Sequence, residues 1–364
     1  MKKFLVLVGV NFMVFCTIVL SVELAAQVLY FVRNGRLLLF DHAPMHSRLF
    51  EIHPYLAGRP RASVMVEQHG KKIAITPLHT RWTGGDIQDR KCIKIAVLGG
   101  STTFCTGVTD KDSWPALLQQ ELGDGFTVIN YGVPGYSTAE NIIQMALLVP
   151  EQRPEFVVFF EGWNDISNYH EPGTGPDYYA HGIRQYSNLG LPVIGQQRGW
   201  QLAGSVLATV WLAEQIKKRM VRPKQQSVKL YDTPDPFVDR IYTRNLHTLK
   251  LLTERIGAKA IFIPQVLNYT KFPANKKSHW WTRHIRNRAL PALMARFNER
   301  LLKVCSPGEE NCMVLDGVLK QRWNSDDFVD EGHFSRKGNI KFARIVAHCI
   351  RSSLMTRHSG RVSP

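Results

Sequence analysis

A serine, a histidine and an aspartate stand at positions from which they can carry out acyl transfer. Ser101 follows Gly99 and Gly100, and Asp330 lies three residues before His333, near the C-terminus. A serine hydroxyl is a weak nucleophile until an imidazole takes its proton and a carboxylate orients that imidazole. We therefore expect Ser101 to be a nucleophile, His333 its general base and Asp330 the residue that orients His333.

A negatively charged intermediate would also need hydrogen-bond donors. The sequence offers the backbone N–H of Ser101, the backbone N–H of Gly132 and the side-chain amide of Asn164. Each has a simpler interpretation, because Gly132 can shape a turn and Asn164 can cap a helix. A phosphate-binding turn at Gly-Gly-Ser-Thr-Thr is disfavoured, since no G-K-[ST] motif follows. Other histidines, such as His170, His181, His279 and His284, are expected on the surface or in a lid.

The elements that position these residues alternate between strands and helices. Apolar runs predict strands at 93–98, 126–131, 156–160, 260–263 and 313–315, and helical spacing predicts helices at 114–122, 138–148, 238–256, 283–304 and 337–354. This alternation predicts an open parallel sheet covered on both faces. Ligands bind beyond the carboxyl ends of such strands, which is where the candidate residues stand.

Together the segments around Ser101, Gly132, Asn164 and His333 resemble the SGNH (GDSL-like) hydrolase superfamily. Ser101 matches its serine, Gly132 its glycine, Asn164 its asparagine within G-x-N-D, and His333 its histidine within D-x-x-H. The resemblance covers residues 93 to about 350. It implies a flavodoxin-like three-layer α/β/α sandwich, activity on acyl esters of lipids, sugars or polysaccharides, and no cofactor. Gly-Gly-Ser-Thr stands where the family pattern has Gly-Asp-Ser-Leu, which leaves the triad intact.

The N-terminus predicts a membrane anchor. Met1-Lys-Lys precedes an apolar run over residues 4–32, which is long enough for a transmembrane helix and longer than the apolar part of a cleaved signal peptide. We expect an anchor at 1–36, a connector at 37–92, the hydrolase-like domain at 93–354 with an insertion at 166–236, and a basic tail at 355–364. Lys2 and Lys3 favour a cytoplasmic N-terminus and a periplasmic catalytic domain.

Composition narrows the remaining possibilities. With 44% apolar and 21% charged residues the chain is globular, and its net charge of +16 favours an anionic partner. An extracytoplasmic location makes nucleic acid an unexpected partner. Residues 271–300 hold eight cations and one acid beside Trp280 and Trp281, a candidate surface for an anionic polymer or lipid, or else only a solvated helix face.

Two further segments leave alternatives open. The apolar stretch 201–216 predicts either a lid helix packed on the core or a helix at the membrane surface. Cys305 and Cys312 bracket a turn-rich stretch and form either a disulfide or two unrelated thiols. No spacing typical of a metal site occurs.

These features predict a membrane-anchored, extracytoplasmic serine esterase or O-acyltransferase (O-acetyltransferase included), acting on acyl esters of cell-envelope or exported polysaccharide. The alternatives are a lipid esterase at the membrane surface and a non-catalytic polysaccharide-binding scaffold.

Overall fold

The computed structural model describes residues 2–34, 37–38, 48–68, 70–191, 207–220, 228–272 and 275–359. They belong to two compact units. The smaller comprises 1–44 and 192–228, and the larger comprises 45–191 and 229–364. The predicted insertion 166–236 is thus divided between the two units.

A five-stranded parallel sheet forms the centre of the larger unit. The described strands are, in chain order, β1 (Phe50–Glu51), β2 (Arg59–Pro60), β3 (Met65–Gln68), β4 (Lys71–Ala74), β5 (Ile93–Gly99), β6 (Phe126–Asn130), β7 (Phe156–Phe160), β8 (Lys259–Ile263) and β9 (Cys312–Val314). The sheet has the order β6-β5-β7-β8-β9, and each pair of neighbours is parallel. Counted among themselves these strands follow the order 2-1-3-4-5, which is the flavodoxin-like order.

Helices cover both faces of this sheet. The described α-helices are α1 (Lys2–Asn34), α2 (Ser101–Phe104), α3 (Trp114–Leu122), α4 (Thr138–Leu147), α5 (Trp163–Ile166), α6 (Tyr179–Asn188), α7 (Ala208–Met220), α8 (Pro236–Arg255), α9 (Leu290–Leu302), α10 (Gly317–Lys320) and α11 (Arg336–Ser359). Alternate residues of the strands pack on α4, α8 and α9 on one face and on α3 and α11 on the other. The predicted three-layer α/β/α fold is confirmed.

The predicted helix over 283–304 is too long at its start. It begins at Leu290, because Pro291 has no N–H and is tolerated only in a first turn. Residues 284–286 instead exchange backbone hydrogen bonds with Tyr231, whose N–H donates to the His284 carbonyl and whose carbonyl accepts from the Arg286 N–H. The helix-like pattern of charged residues therefore extends into residues 284–286, whose backbone pairs with Tyr231 and forms no helix.

The connector 37–92 is more ordered than its mixed sequence indicated. It forms the antiparallel pairs β1–β2 and β3–β4, and its apolar side chains join a third core cluster with Phe104 and Tyr136. The connector thereby reaches the segment that follows the candidate nucleophile. Residues 39–47, which belong to this predicted connector, lie outside the described part of the chain.

The smaller unit pairs two helices. In α1, the segment Lys3–Arg33 is long and apolar enough to cross a membrane by length and composition. The Glu23 carboxylate of α1 accepts hydrogen bonds from the backbone N–H groups of Ala208 (2.7 Å) and Thr209 (3.0 Å) at the start of α7, and Tyr30 packs edge-on against Trp211. The apolar stretch 201–216, predicted as a lid helix or a membrane-surface helix, therefore contributes to α7, which packs on α1, while its residues 201–206 lie outside the described range.

The structure joins Cys305 and Cys312 in a disulfide, with their Cα atoms 5.4 Å apart. The bond closes the short loop between α9 and β9. Of the two readings of these cysteines, the structure adopts the bonded one.

Candidate active site

Ser101, His333 and Asp330 form a continuous hydrogen-bonded chain. Ser101 is the first residue after the β5 turn, and its Oγ lies 2.7 Å from His333 Nε2. His333 Nδ1 lies 2.8 Å and 2.9 Å from the two carboxylate oxygens of Asp330. The three residues expected from the sequence thus meet with the geometry that proton transfer from a serine requires.

The Asp330 carboxylate is held in its ionised form. Its Oδ1 also accepts the backbone N–H groups of Gly332 at 2.9 Å and His333 at 2.8 Å. Burial alone would raise the pKa of Asp330, but the hydrogen bonds and charge of His333 and these two amides outweigh burial and lower the pKa to about 2. A carboxylate that stays charged keeps Nδ1 protonated and leaves Nε2 to accept the serine proton.

Gly132 does not lie at this site as expected. Its backbone N–H donates to the Oδ1 of Asn130 at 2.9 Å, and the residue does not line the cavity that contains Ser101. Its Cα instead packs tightly against the backbone of Thr103 and Phe104, where a Cβ would lie 2.5 Å from the Phe104 nitrogen. The structure therefore assigns Gly132 to the close packing of the β6 turn on α2 and not to an oxyanion site.

Gly135 occupies the place expected of Gly132. Val133 to Tyr136 form a β-turn closed by the Tyr136 N–H and the Val133 carbonyl at 3.0 Å, with Gly135 at φ +82° in the third position. Such a type II turn leaves its central amide outside the turn hydrogen bond. Gly135 lines the Ser101 cavity, and within the described residues its N–H donates no hydrogen bond. The dipeptide Pro134-Gly135 is typical of such a turn, so the sequence does indicate that the Gly135 N–H lies outside the turn hydrogen bond.

Asn164 lies beside Ser101 as expected. Its Nδ2 donates to the Tyr136 carbonyl at 2.6 Å, and a Cβ on Gly100 would come within 2.1 Å of the same nitrogen. Only glycine before Ser101 leaves room for this amide. Asn164 does not cap its helix; the N-cap residue of α5 is Gly162, with no side-chain hydrogen bond.

Asp165, the next residue of the G-x-N-D motif, has a structural role. It is fully buried and accepts hydrogen bonds from the backbone and hydroxyl of Thr138 at the start of α4. Burial raises its pKa to about 7, although the Thr138 hydrogen bonds act in the opposite direction. The motif's Asn thus faces the cavity, while its Asp connects α5 to α4.

Arg81 supports the loop that follows Ser101, and no motif in the sequence indicated this role. Its side chain is fully buried, its Nε donates to Asp110 Oδ1 at 2.9 Å, and its Nη1 and Nη2 donate to the carbonyls of Cys105 and Val108 at 2.7 and 2.8 Å. A third carbonyl, that of Phe104, also accepts from Nη1. The guanidinium therefore fixes the loop that follows Ser101 from a connector that carries no motif.

The cavity above Ser101 has a volume of about 260 Å³. Its wall is rich in aromatic rings. The lining includes Pro134, Trp163, Asn188, His279, Trp280, Trp281 and Glu331 in addition to the site residues named above. Trp280 is 72% exposed at this cavity, whereas Trp281 is buried. Two of the histidines expected on the surface or in a lid are also buried, namely His181 and His279.

The basic segment 271–300 is partly neutralised, because five of its arginines pair with three carboxylates from other segments. Arg283 pairs with Glu171, Arg286 and Arg288 with Asp232, and Arg296 and Arg300 with Asp239. Lys271 donates to the Phe328 carbonyl at 2.7 Å. Among the described residues of the segment, Lys276 and Lys277 are the exposed cations without an ion pair. The eight-to-one ratio in the sequence therefore overstates the charge of this surface.

A cavity of about 660 Å³ lies at the remaining cations. It is lined by Tyr269, Phe272, Asn275, Lys276, Lys277, Arg286, Asn287 and Arg288. The Phe272 ring, which lines this cavity, lies 5.3 Å from the ring of His279, which lines the Ser101 cavity. Phe272 also lies edge-on to Trp163 of the Ser101 cavity at 6.2 Å, so its ring separates the two cavities. In the described part of the chain no group of three or more His, Cys, Asp or Glu residues is arranged to hold a metal ion.

The chain is similar to known proteins in sequence and in fold. Residues 97–339 match the GDSL-like Lipase/Acylhydrolase family. A stretch of 74 residues, 20% of the chain, is 31% identical to the esterase TesA of Pseudomonas aeruginosa, but it spans only 37% of that protein. A crystal structure of TesA has a TM-score of 0.39 at 15% identity, covering 71% of this chain and 99% of that one. The acetylxylan esterase Axe2 of Geobacillus stearothermophilus has a TM-score of 0.38 at 15% identity, covering 71% and 95%.

Proposed function

This chain belongs to the GDSL-like lipase/acylhydrolase family, and on that premise we propose that it is a serine esterase or O-acyltransferase that uses Ser101, His333 and Asp330. The observation that carries the proposal is the 2.7 Å contact between Ser101 Oγ and His333 Nε2, with Asp330 on the opposite ring nitrogen. A non-catalytic scaffold would gain nothing from this arrangement.

In the proposed reaction, Ser101 Oγ forms a bond to the acyl carbon of an ester and its proton moves to His333 Nε2. The carbonyl oxygen becomes an oxyanion, which accepts hydrogen bonds from the backbone N–H groups of Ser101 and Gly135 and from the Asn164 amide. As the ester C–O bond breaks, the leaving alcohol takes the proton from His333. Water or an acceptor hydroxyl then bonds to the acyl carbon and gives its proton to His333 Nε2. As the bond between the acyl carbon and Ser101 Oγ breaks, His333 returns that proton to Ser101 Oγ.

The size of the cavity favours a short acyl group. At about 260 Å³ the cavity lies at the small end of ligand-binding clefts, which typically have roughly 300–1,000 Å³. An acetyl group and part of the sugar that carries it match this volume, whereas a long fatty acyl chain exceeds it. The exposed Trp280 indole offers a flat apolar face on which a sugar ring can stack. We therefore favour an acylated glycan of the cell envelope or an exported polysaccharide as the substrate.

An anionic glycan suits the neighbouring cationic cavity. Lys276 and Lys277 are free of ion pairs among the described residues, and Arg286 and Arg288 share the single carboxylate of Asp232. The cavity therefore keeps an excess of positive charge next to the Ser101 cavity. Because exposed charges are screened over about 8 Å at physiological ionic strength, glycan binding should weaken with salt. Replacing Lys276 and Lys277 with Gln should lower affinity for an anionic glycan but leave turnover of a small neutral ester unchanged.

We also propose that α1 anchors the enzyme and that the catalytic unit lies on the periplasmic side. The disulfide between Cys305 and Cys312 supports this location, because structural disulfides persist in oxidising compartments. The proposal predicts that the mature protein keeps its original N-terminus and stays with membranes after a high-salt wash. A mature N-terminus near Gln27, with the protein in the soluble fraction, would contradict the anchor.

The packing of α7 on α1 favours a second candidate, a lipid esterase at the membrane surface. Glu23 stands ten residues before Arg33, or about 15 Å along a helix at 1.5 Å per residue. If α1 spans the bilayer with Arg33 at the membrane surface, the start of α7 lies about 15 Å below that surface. A membrane-embedded second helix would hold the enzyme close to lipid, although the small cavity argues against long acyl chains.

Two measurements test the proposed reaction. Ser101→Ala and His333→Ala should each abolish fluorophosphonate labelling and ester hydrolysis, while Ser113→Ala, a buried serine outside the cavity, should keep both. Hydrolysis at the wild-type rate by a folded Ser101→Ala protein would refute the assignment. A series of esters from acetyl to palmitoyl separates the candidates: the glycan proposal expects activity to fall steeply beyond short acyl chains, and the lipid alternative expects it to rise.

A further inference from the structure

Three successive carbonyls of the Gly135 turn are each held by a buried side chain. The Pro134 carbonyl accepts from Gln185 Nε2 at 3.5 Å, the Gly135 carbonyl contacts His181 Nε2 at 2.7 Å, and the Tyr136 carbonyl accepts from Asn164 Nδ2 at 2.6 Å. Asn164 belongs to a family motif, but His181 and Gln185 do not. Both come from α6, within the segment inserted between β7 and β8.

These contacts determine where the Gly135 N–H points. The Gly135 N–H and the Pro134 carbonyl belong to one planar peptide unit, so fixing the carbonyl direction also fixes the amide direction. The Gly135 carbonyl fixes the next peptide unit in the same way. A glycine at φ +82° has few steric limits of its own, and a turn of this kind therefore depends on its neighbours for rigidity.

The two α6 side chains are themselves rigid. His181 and Gln185 are fully buried and stand four residues apart on one face of the helix. Asn188 donates to Gln185 Oε1 at 2.7 Å, which directs the Gln185 Nε2 toward the turn. A Cβ on Gly135 would lie 2.1 Å from that Oε1, so the turn and the helix are in close contact.

The state of His181 suits a hydrogen-bond donor. Its Nε2 faces a carbonyl and must carry a hydrogen, while its Nδ1 faces Arg184 Nη2 at 3.5 Å and can only accept. Burial lowers the pKa of His181, and the charge of Arg184 acts in the same direction, against the raising effect of Glu140 and the Gly135 carbonyl. A neutral imidazole with hydrogen on Nε2 satisfies both neighbours.

We propose that His181 and Gln185 are positioning residues for the oxyanion site, holding the Gly135 N–H toward the oxygen that becomes negative in the reaction. The inference rests on the proposed function, because it needs Ser101 to attack a carbonyl. It gives the inserted helix a role in the reaction through Gly135, without contact with the reacting atoms.

The test compares variants that remove the hydrogen bonds with one that restores them. His181→Phe keeps an aromatic ring but has no donor, Gln185→Leu keeps the approximate volume but has no donor, and His181→Gln carries an amide N–H that can reach the Gly135 carbonyl. Ile183→Ala, a partly exposed position on the same helix, is the matched control. Each is assayed for kcat and KM on a short-chain acetyl ester and for thermal unfolding.

A donor displaced by about 1 Å lowers turnover on the order of 100-fold, and the loss falls on kcat because the interaction exists only in the transition state. We expect His181→Phe and Gln185→Leu to lower kcat about 10- to 100-fold with little change in KM. His181→Gln should recover most of the loss, and Ile183→Ala should match the wild type.

Wild-type kcat in folded His181→Phe and Gln185→Leu would overturn the inference, as would a His181→Gln variant no better than His181→Phe. If His181→Phe does not fold, Gln185→Leu with Gln185→Glu as a second variant decides the question. These failures differ from a failure of the proposed function. In that case Ser101→Ala would remain active, whereas here Ser101→Ala would be inactive and only the α6 variants would behave as wild type.

Discussion

Replacing Asn164 with Ala separates a catalytic amide from a structural one. The Asn164 side chain donates a single hydrogen bond within the described residues, to the Tyr136 carbonyl at 2.6 Å, and its amide borders the cavity beside Ser101. The substitution therefore removes one structural hydrogen bond and, in our mechanism, one donor to the oxyanion. The two losses have different sizes and are seen in different assays.

The structural loss is small. Leaving a buried carbonyl without its partner costs about 1–3 kcal/mol of the free energy of unfolding. A domain stable by about 5–15 kcal/mol stays folded after that loss. If Asn164 were only structural, Asn164→Ala would then have almost the same activity as the wild type at 25 °C.

The catalytic loss is much larger. Removing one oxyanion donor lowers kcat by about 10²–10³, or about 2.7–4 kcal/mol of transition-state stabilisation. Stopped-flow or steady-state hydrolysis of p-nitrophenyl acetate gives kcat, and urea unfolding of the same samples gives the stability. Asn164→Asp keeps the shape, cannot donate when ionised, and should lose at least as much activity.

Asn168→Ala is the matched control, because Asn168 is a buried asparagine one turn further along that does not line the cavity. It should lose stability without a comparable fall in kcat. A folded Asn164→Ala protein with kcat within tenfold of the wild type would refute the role of this amide, and with it the three-donor oxyanion site.

Three further outcomes are expected. Asp330→Asn should lower the free energy of unfolding at neutral pH, because the hydrogen bonds of Asp330 outweigh its burial and hold its pKa at about 2, against an ordinary 3.8. The stabilisation by Asp330 is therefore present above pH 4 and disappears as the pH falls toward 2. Urea unfolding should show the difference between wild type and variant shrink over that interval, and a pH-independent difference would contradict the prediction. Arg81→Met leaves the buried Asp110 carboxylate without its ion-pair partner and should lower the free energy of unfolding in urea by about 3–5 kcal/mol. A loss below about 1 kcal/mol would count against the support assigned to Arg81. Replacing Cys305 and Cys312 together with Ser opens a short loop and should cost about 2–3 kcal/mol, with dithiothreitol lowering the stability of the wild type but not of the variant.

The sequence predicted the layers of the fold because the sheet is buried on both faces. Continuous apolar strands such as β5 and β7 can hardly be misread when Gly-rich turns and amphipathic helices follow them. Because β5 and β7 are neighbours in the sheet, Ser101 and Asn164, which follow them, come together even if the predicted strand bounds are off by a residue. The family assignment from these short motifs is confirmed by the match over residues 97–339.

The glycine of the proposed oxyanion site was harder to predict, because two glycines follow β6 within five residues. Composition does not distinguish a glycine needed for close packing, as at Gly132, from one needed for a positive φ, as at Gly135. The Pro before Gly135 was the local signal that distinguished them. Arg81 had no such signal, since a buried arginine is recognised only by the carbonyls of distant segments around it.

Most of the proposed site is positioned without the inserted segment 166–236. Ser101 and the Asn164 amide follow the adjacent strands β5 and β7, and His333 is held by its own loop through Asp330. The Gly135 turn follows β6 on a backbone with little intrinsic rigidity. An inserted helix can therefore act on the proposed reaction through this turn, which α6 meets with two buried donors. The effect of the insertion on turnover should accordingly pass through Gly135, while any effect on substrate choice should come from its residues that line the cavity.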